Sequence, residues 1–446
     1  MAVLQLREFD RIQCGSVFSP EKLAVTVHQR TELERFAERY RTTKGATVFQ
    51  HGPRGSLVAQ NFVGVIDLGK HQVEVLPKIE GEVSQVRHNL ASMVATTLGL
   101  TLHADAQTQV GRVNETVLEV MIRLFCEELW KAVRHGMVRR YEVHEDNLVV
   151  LRGRLNVGQQ VRHNLARPDR LHCTFDEFTA DNALNRVLKA TLRVLVKVVK
   201  GSATSRSVSE LLFCFQEVGD VSPGTINWGQ AQPDRLNQRY VPLVRMARLF
   251  IEGASPDLVS GKGGGFSLLF DMNELFEEYI GRVAVKVFSQ EGLSVRLQGP
   301  TRHLARTEYG TPAFELRPDI VVSNAMGPAF IIDTKWKRLN EDASRDAVSS
   351  ADMYQMLAYG HRYSTPKVVL LYPHHAGLQD WTARRATYRV DGLGQPGAHR
   401  EIQVVVATVD LVDLRSVPGQ LLQVFQCQES PVGRPSASDK VLAAIS

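Results

Sequence analysis

Apolar and polar positions along this chain switch between two periods, and the switches mark out its elements. Residues 2–9 read as a strand, and Thr31-Glu32-Leu33-Glu34 has the hydroxyl–carboxylate spacing that opens a short helix ending near Arg41. Residues 58–68 and 72–76 alternate or run apolar on either side of Gly69-Lys70, the pattern of a hairpin. The period then lengthens. Val86, Leu90, Met93 and Val94 mark a helix over residues 84–100, and Val117, Val120, Met121, Leu124, Phe125 and Leu129 a longer one over 113–135. Residues 139–155 return to β-prone composition and predict a long basic hairpin ending in Arg152-Gly153-Arg154. Phe175-Asp176-Glu177-Phe178 reads as an acidic turn before a strong amphipathic helix over 182–200, with Asp181 its expected cap. Two further helices are expected over 207–218 and 237–252.

Residues 253–265, which include Gly261-Lys262-Gly263-Gly264-Gly265, break the pattern and predict a linker. They lack the Gly-x-x-x-x-Gly-Lys-Ser/Thr spacing of a phosphate-binding loop, so a hinge is expected rather than a nucleotide site. Beyond them, Phe276, Ile280, Val283 and Val287 form one face of a helix over 273–290. A strand over 293–297 and a basic loop with Arg302, His303 and Arg306 follow. Two apolar runs, 320–322 and 329–332, flank the turn residues Ser323, Asn324, Gly327 and Pro328 and form a second hairpin. A helix over 352–363 and a buried strand over 368–372 complete the series. The fold class is therefore mixed α/β, divided as 1–252, the linker 253–265, 266–427 and a Ser/Pro-rich tail 428–446 expected to be disordered.

Composition narrows the class. At 446 residues, 43% hydrophobic and 23% charged, the chain is a multidomain globular protein. No apolar run is long enough to span a bilayer and no basic-then-apolar leader opens the chain, which predicts a cytoplasmic protein without membrane association. The five cysteines are scattered, with no Cys-x-x-Cys pair, which argues against a disulfide framework or a zinc site. The net charge of +5 is modest, yet residues 131–170 hold nine Lys/Arg against four Asp/Glu. Such a stretch is a solvated face, or a surface for phosphates or a partner protein.

The hairpin at 314–339 carries charges where a buried sheet should have none. Asp319 opens its first strand, and Asp333 and Lys335 close the second, two residues apart and on one face. If the register sets Asp319 opposite Asp333, two carboxylates and an ammonium share one small volume, which is costly unless a cation joins them. Mg²⁺ suits such a site, since carboxylates, waters and phosphate oxygens are its usual ligands. A neighbouring lysine can orient an attacking water or stabilise charge developing on a phosphate.

Pro318-Asp319 followed by Asp333-Thr334-Lys335 resembles the PD-(D/E)xK nuclease motif, with Asp in the second acidic position where many relatives have Glu. The expected order of helix, three strands, helix, strand is similar to that superfamily's αβββαβ core, and Gln355-x-x-x-Tyr359 to an element of one of its branches. Leu275-Phe276-Glu277-Glu278-Tyr279, Phe175-Asp176-Glu177-Phe178, Asp181-Asn182-x-Leu184-Asn185, Leu151-Arg152-Gly153-Arg154-Leu155, and Val63-Gly64-Val65-Ile66 with Pro77-Lys78-Ile79 narrow the resemblance to the McrC family. McrC is the nuclease subunit of McrBC-type and LlaJI-type modification-dependent restriction systems. The resemblance spans about residues 55–375.

It implies a DNA endonuclease subunit that works with a McrB-like AAA+ GTPase hexamer, which its N-terminal region docks onto and stimulates. It implies Asp319, Asp333 and Glu277 as Mg²⁺ ligands, Glu277 fitting the family pattern better than Glu278. Lys335 would position the nucleophilic water and Gln355 would orient the lysine or the phosphate, while this chain itself binds no nucleotide. The alternative is a non-cleaving adaptor that activates a partner NTPase and uses a nuclease fold only to bind DNA.

Overall fold

Six consecutive buried residues, Phe62–Asp67, form the strand around which the N-terminal sheet is built. The computed structural model describes residues 2–38, 47–68, 71–100, 115–254, 265–339, 348–378, 381–390 and 401–426. It is a mixed α/β protein that divides into two units, Met1–Lys78 with Val83–Asp271, and Ile79–Glu82 with Met272–Ser446. Residues 255–264 of the expected linker, the Gly69-Lys70 turn and the expected tail 428–446 lie outside the described residues. No described helix is long and apolar enough to cross a membrane.

In the first unit the sheet order is Ala2–Arg7, His71–Leu76, Phe62–Asp67, Phe266–Asp271. The expected hairpin is its centre: Phe62–Asp67 and His71–Leu76 pair antiparallel, while Ala2–Arg7 joins in parallel. The fourth strand was expected to belong to the second domain. Phe266–Asp271 instead pairs antiparallel with Phe62–Asp67, and its continuous buried run over residues 266–269 covers the open edge of that strand. At Gly64 the two backbones come so close that a Cβ would sit 2.0 Å from the Leu268 carbonyl oxygen, and its φ of +132° suits only glycine. Glu74, fully buried within the sheet, accepts hydrogen bonds from Arg87 Nε (2.9 and 3.1 Å), Arg87 Nη2 (2.6 Å) and the Val117 amide (2.8 Å).

Several local expectations need correction. The first helix is Val27–Ala37, opened by a capping box of Thr26 and Gln29 rather than Thr31 and Glu34. Both windows satisfy the local rule; the earlier start buries Gln29 as well as Leu33 and Phe36. The basic segment is no simple hairpin: Arg140–Leu148 and Arg154–Leu155 each pair with Leu171–Thr179, which lies between them. The expected acidic turn at 175–178 is thus the middle strand of a three-stranded sheet. Asn182, not Asp181, caps the helix Ala183–Val198, its side chain accepting from the Asn185 amide. Asp181 instead accepts from Arg186 (2.6 and 3.0 Å) and the Gly219 amide (2.7 Å), and the Arg186 hydrogen bonds hold its carboxyl below the usual range. The remaining helices of this unit include Val83–Leu98, Val117–Arg134, Ser202–Cys214 and Val241–Gly253.

The second unit is a three-layer sandwich. Its six-stranded sheet runs Ser294–Leu297, Ile320–Asn324, Gly327–Thr334, Lys367–Pro373, Ile402–Val409, Ala386–Val390. Adjacent residues of the hairpin face opposite layers, as strand geometry requires. Ile331 packs with Met356, Tyr359 and Tyr363 of the helix Ser350–Tyr363. Phe330 stacks on Phe425 (centroids 4.0 Å apart) and meets Phe288 of the helix Met272–Gln290. With both faces covered, the central strands are apolar almost throughout, and Gly327–Thr334 pairs in parallel with Lys367–Pro373 across the Ser350–Tyr363 crossover. The basic residues Arg302, His303 and Arg306, expected in a loop, lie on the strand Arg302–Arg306, which pairs with Pro312–Leu316 in a separate two-stranded ribbon.

Candidate active site

The hairpin register decides the site. Ile320 is opposite Ile332 and Val321 opposite Ile331, so the same register carries Asp319 to Asp333 at the end of the strand pair. Asp333 is 1% exposed, and its Oδ2 lies 2.5 Å from Lys335 Nζ. Burial pushes its carboxyl up to about 7, and the Asp319 charge adds to the rise; Lys335 opposes it only in part. Lys335 shows the converse balance. Burial disfavours its ammonium, but Asp333 beside it prevails and its pKa is raised, so it stays protonated.

Asp319 is held from the neighbouring strand: its Oδ2 accepts from the Thr334 amide (2.7 Å) and the Thr334 hydroxyl (2.8 Å). Thr334 lies inside the Asp-x-Lys spacing, in the position that pattern leaves unspecified. Lys335 Nζ also donates to Gln355 Oε1 (3.2 Å), Gln355 Nε2 to the Tyr359 hydroxyl (2.9 Å), and that hydroxyl to the Arg317 carbonyl (3.2 Å). This series ties the lysine to the two residues standing four apart on the crossover helix and returns to the chain just before Pro318-Asp319. The helix is capped by Ser349, and its Asp352 carboxylate pairs with Lys337, just past the end of the strand that carries Asp333. Sequence reasoning passed over Lys337 and Asp352, because the strand ends at Thr334 and no local period links them.

Glu277 and Glu278 separate clearly. Glu278 pairs along its helix with Arg282 (3.3 Å), whereas Glu277 Oε1 accepts from Gln298 Nε2 (3.2 Å). Gln298 also donates its amide to the Asp319 carbonyl (2.7 Å) and accepts from the Arg317 guanidinium, so Glu277 reaches the hairpin end through Gln298. The structure thus brings Asp319, Asp333, Lys335 and Gln355 together directly and sets Glu277 beside them at one remove. Among the described residues no three His, Cys, Asp or Glu side chains are gathered closely enough to hold a metal ion by themselves. The donor set nonetheless fits a hard divalent cation, because a buried carboxylate under the charge of a second one is what such an ion relieves.

Known proteins share the fold that carries this site. A solved half-complex from a tetradecameric assembly of Thermococcus gammatolerans McrB AAA+ hexamers with bound McrC contains a chain 18% identical to this one, with a TM-score of 0.67, covering 95% of this chain and 99% of that one. A cryo-EM structure of the Thermococcus gammatolerans McrBC complex contains a chain 21% identical, with a TM-score of 0.51, covering 64% and 88%. At these identities the likeness establishes the fold alone. No curated relative matches the sequence. The family model described as McrBC 5-methylcytosine restriction system component matches residues 57–373, a span that takes in both the Gly64 strand crossing and the Asp319–Asp333 hairpin. The chain is a member of that McrBC family.

Proposed function

We propose that this chain is the DNA-cutting subunit of a McrBC-type restriction system, a Mg²⁺-dependent endonuclease of the PD-(D/E)xK type. It acts when assembled with an AAA+ GTPase hexamer whose hydrolysis it stimulates. The observation that carries this reading is the register-enforced convergence of Asp319 and Asp333, with the Lys335 ammonium against the buried Asp333 carboxylate. A purely structural hairpin gains nothing from two carboxylates at one strand end, because each raises the cost of ionising the other.

In the proposed reaction, water attacks phosphorus, a P–O ester bond breaks, and the departing alkoxide takes up a proton. Asp319 and Asp333 would hold Mg²⁺, with Glu277 of the neighbouring helix acting on the hairpin end at one remove, through Gln298, and the bound cation would supply Lewis-acid polarisation of the scissile phosphate. Lys335 stays protonated, so it serves as a hydrogen-bond donor that orients the attacking water and stabilises charge building on the phosphate oxygens. Gln355 fixes the lysine's direction and is itself fixed by Tyr359. Lys337, paired with Asp352, keeps the crossover helix seated at that end of the strand.

The test is Asp333→Ala in the full chain mixed with a McrB-type AAA+ GTPase. DNA cleavage should fall by about a thousandfold or more while stimulation of GTP hydrolysis is retained. Cleavage at the wild-type rate would sink the assignment of the site. Loss of GTPase stimulation with cleavage intact would sink the division of labour.

A further inference from the structure

Between Gln298 and Asp319 the chain leaves the six-stranded sheet, runs out along Arg302–Arg306 and returns along Pro312–Leu316, ending three residues before the first carboxylate. Its root is fastened to the helix that carries Gln355. The Tyr363 hydroxyl donates to the Pro300 carbonyl (2.5 Å), with the Leu316 carbonyl 2.9 Å away. Arg362 Nε donates to the His303 carbonyl (2.7 Å), and Arg302 donates to the Arg362 carbonyl while its guanidinium lies 4.7 Å from the centre of the Tyr363 ring. The ribbon is therefore held by the same elements that hold Asp319 and Gln355.

Its outer part has the wrong surface for an idle loop. Tyr309 is 87% exposed, Phe314 73% and Leu304 51%. Phe314 has a φ of +58°, a backbone region bulky residues seldom occupy. Arg302, Leu304 and Arg306 alternate onto one face. Arg296, Arg317 and Arg362 stand on the flanking elements, and against these five arginines the ribbon sets only Glu308 and Glu315. Among the described residues none of the five is ion-paired with a carboxylate. Arg302 and Arg306 donate to backbone carbonyls and Arg317 to Gln298, so they are oriented without being neutralised.

We propose that this ribbon is the element that grips the DNA duplex, seated in the major groove beside the phosphate to be cut. The inference rests on the endonuclease reading above. A two-stranded ribbon fits a groove about 12 Å wide. Arginines oriented but not neutralised suit phosphates and base edges, and exposed rings suit apolar contact with the bases.

The experiment measures binding of the full chain to a short fluorescein-labelled duplex by anisotropy across a salt series. Arg306→Glu should weaken binding about tenfold or more and reduce the salt slope by about one. Tyr309→Ala should weaken it about threefold or more with the salt slope unchanged. Melting temperature and stimulation of the partner GTPase should be unaltered in both ribbon variants, since both side chains are exposed. Parental binding by both ribbon variants would overturn the inference and leave the endonuclease reading standing. Loss of GTPase stimulation with DNA binding intact would overturn it too, by showing that the ribbon meets protein. Continued cutting by the assembled Asp333→Asn complex would instead overturn the endonuclease reading, and the inference with it.

Discussion

Glu74 and Asp333 are both buried carboxylates on sheet strands, and they are treated in opposite ways. Glu74 is surrounded by donors: a forked guanidinium and a backbone amide satisfy both oxygens. Asp333 sits at a strand end with one ammonium beside it and a second carboxylate across the register, and its proton affinity rises as a result. Burial alone is therefore not what decides how a carboxylate on a strand is treated. The difference lies in whether the fold supplies enough donors to make the ion comfortable, and at Asp333 it withholds them.

Four outcomes would break or sharpen that contrast. The largest concerns Glu74. Glu74→Ala removes the carboxylate paired with the buried Arg87, and should cost on the order of 3–5 kcal/mol in urea unfolding. A loss below about 1 kcal/mol would show that Glu74 is no better satisfied than Asp333. Next, Lys335→Ala should lower DNA cleavage by the assembled complex by about 10²- to 10³-fold, as expected when a charge-stabilising donor is lost. Retained cleavage would mean that the ammonium serves only to quiet Asp333.

The third outcome has the opposite sign to the first. The folded-state pKa of Asp333 is raised from 3.8 to about 7, so its contribution favours folding below the unfolded value and is lost as pH rises through about 7. Asp333→Asn should therefore stabilise the protein at pH 8, by on the order of 2 kcal/mol, with the gain shrinking toward zero near pH 4. Added Mg²⁺ should raise the melting temperature of the parent at pH 8 and leave that of the variant unmoved. A variant less stable than the parent at pH 8 would place Asp333 with Glu74 among the structural acids. The smallest effect is expected at Gln355. Gln355→Ala should slow cleavage about tenfold with DNA binding unchanged, since it removes the orientation of Lys335 and not its charge.

Asp333 was the more legible of the two, for a physical reason. Asp333, Lys335 and Asp319 lie within one hairpin, where alternation and turn residues fix which side chains share a face. The Gln355–Tyr359 spacing needs only a single helix turn. Glu74 and Arg87 are on different elements, and nothing local distinguishes them from any acid on a strand or arginine on a helix. The same divide explains the errors at larger scale. The pairing of Leu171–Thr179 between Arg140–Leu148 and Arg154–Leu155 depends on partners distant in sequence, as does the return of Phe266–Asp271 to the first sheet. The capping box failed differently: Thr26–Gln29 and Thr31–Glu34 both satisfy the local chemistry, and tertiary burial made the choice.

The strand Phe266–Asp271 has a consequence for how the chain is made. Its partner, Phe62–Asp67, leaves the ribosome some two hundred residues earlier with one edge unpaired. Until that late segment emerges, a hydrophobic edge stands open to any strand that reaches it, including one from a neighbouring nascent chain. A fragment ending at residue 252 would keep that exposure permanently, and should precipitate where one ending at residue 271 stays in solution.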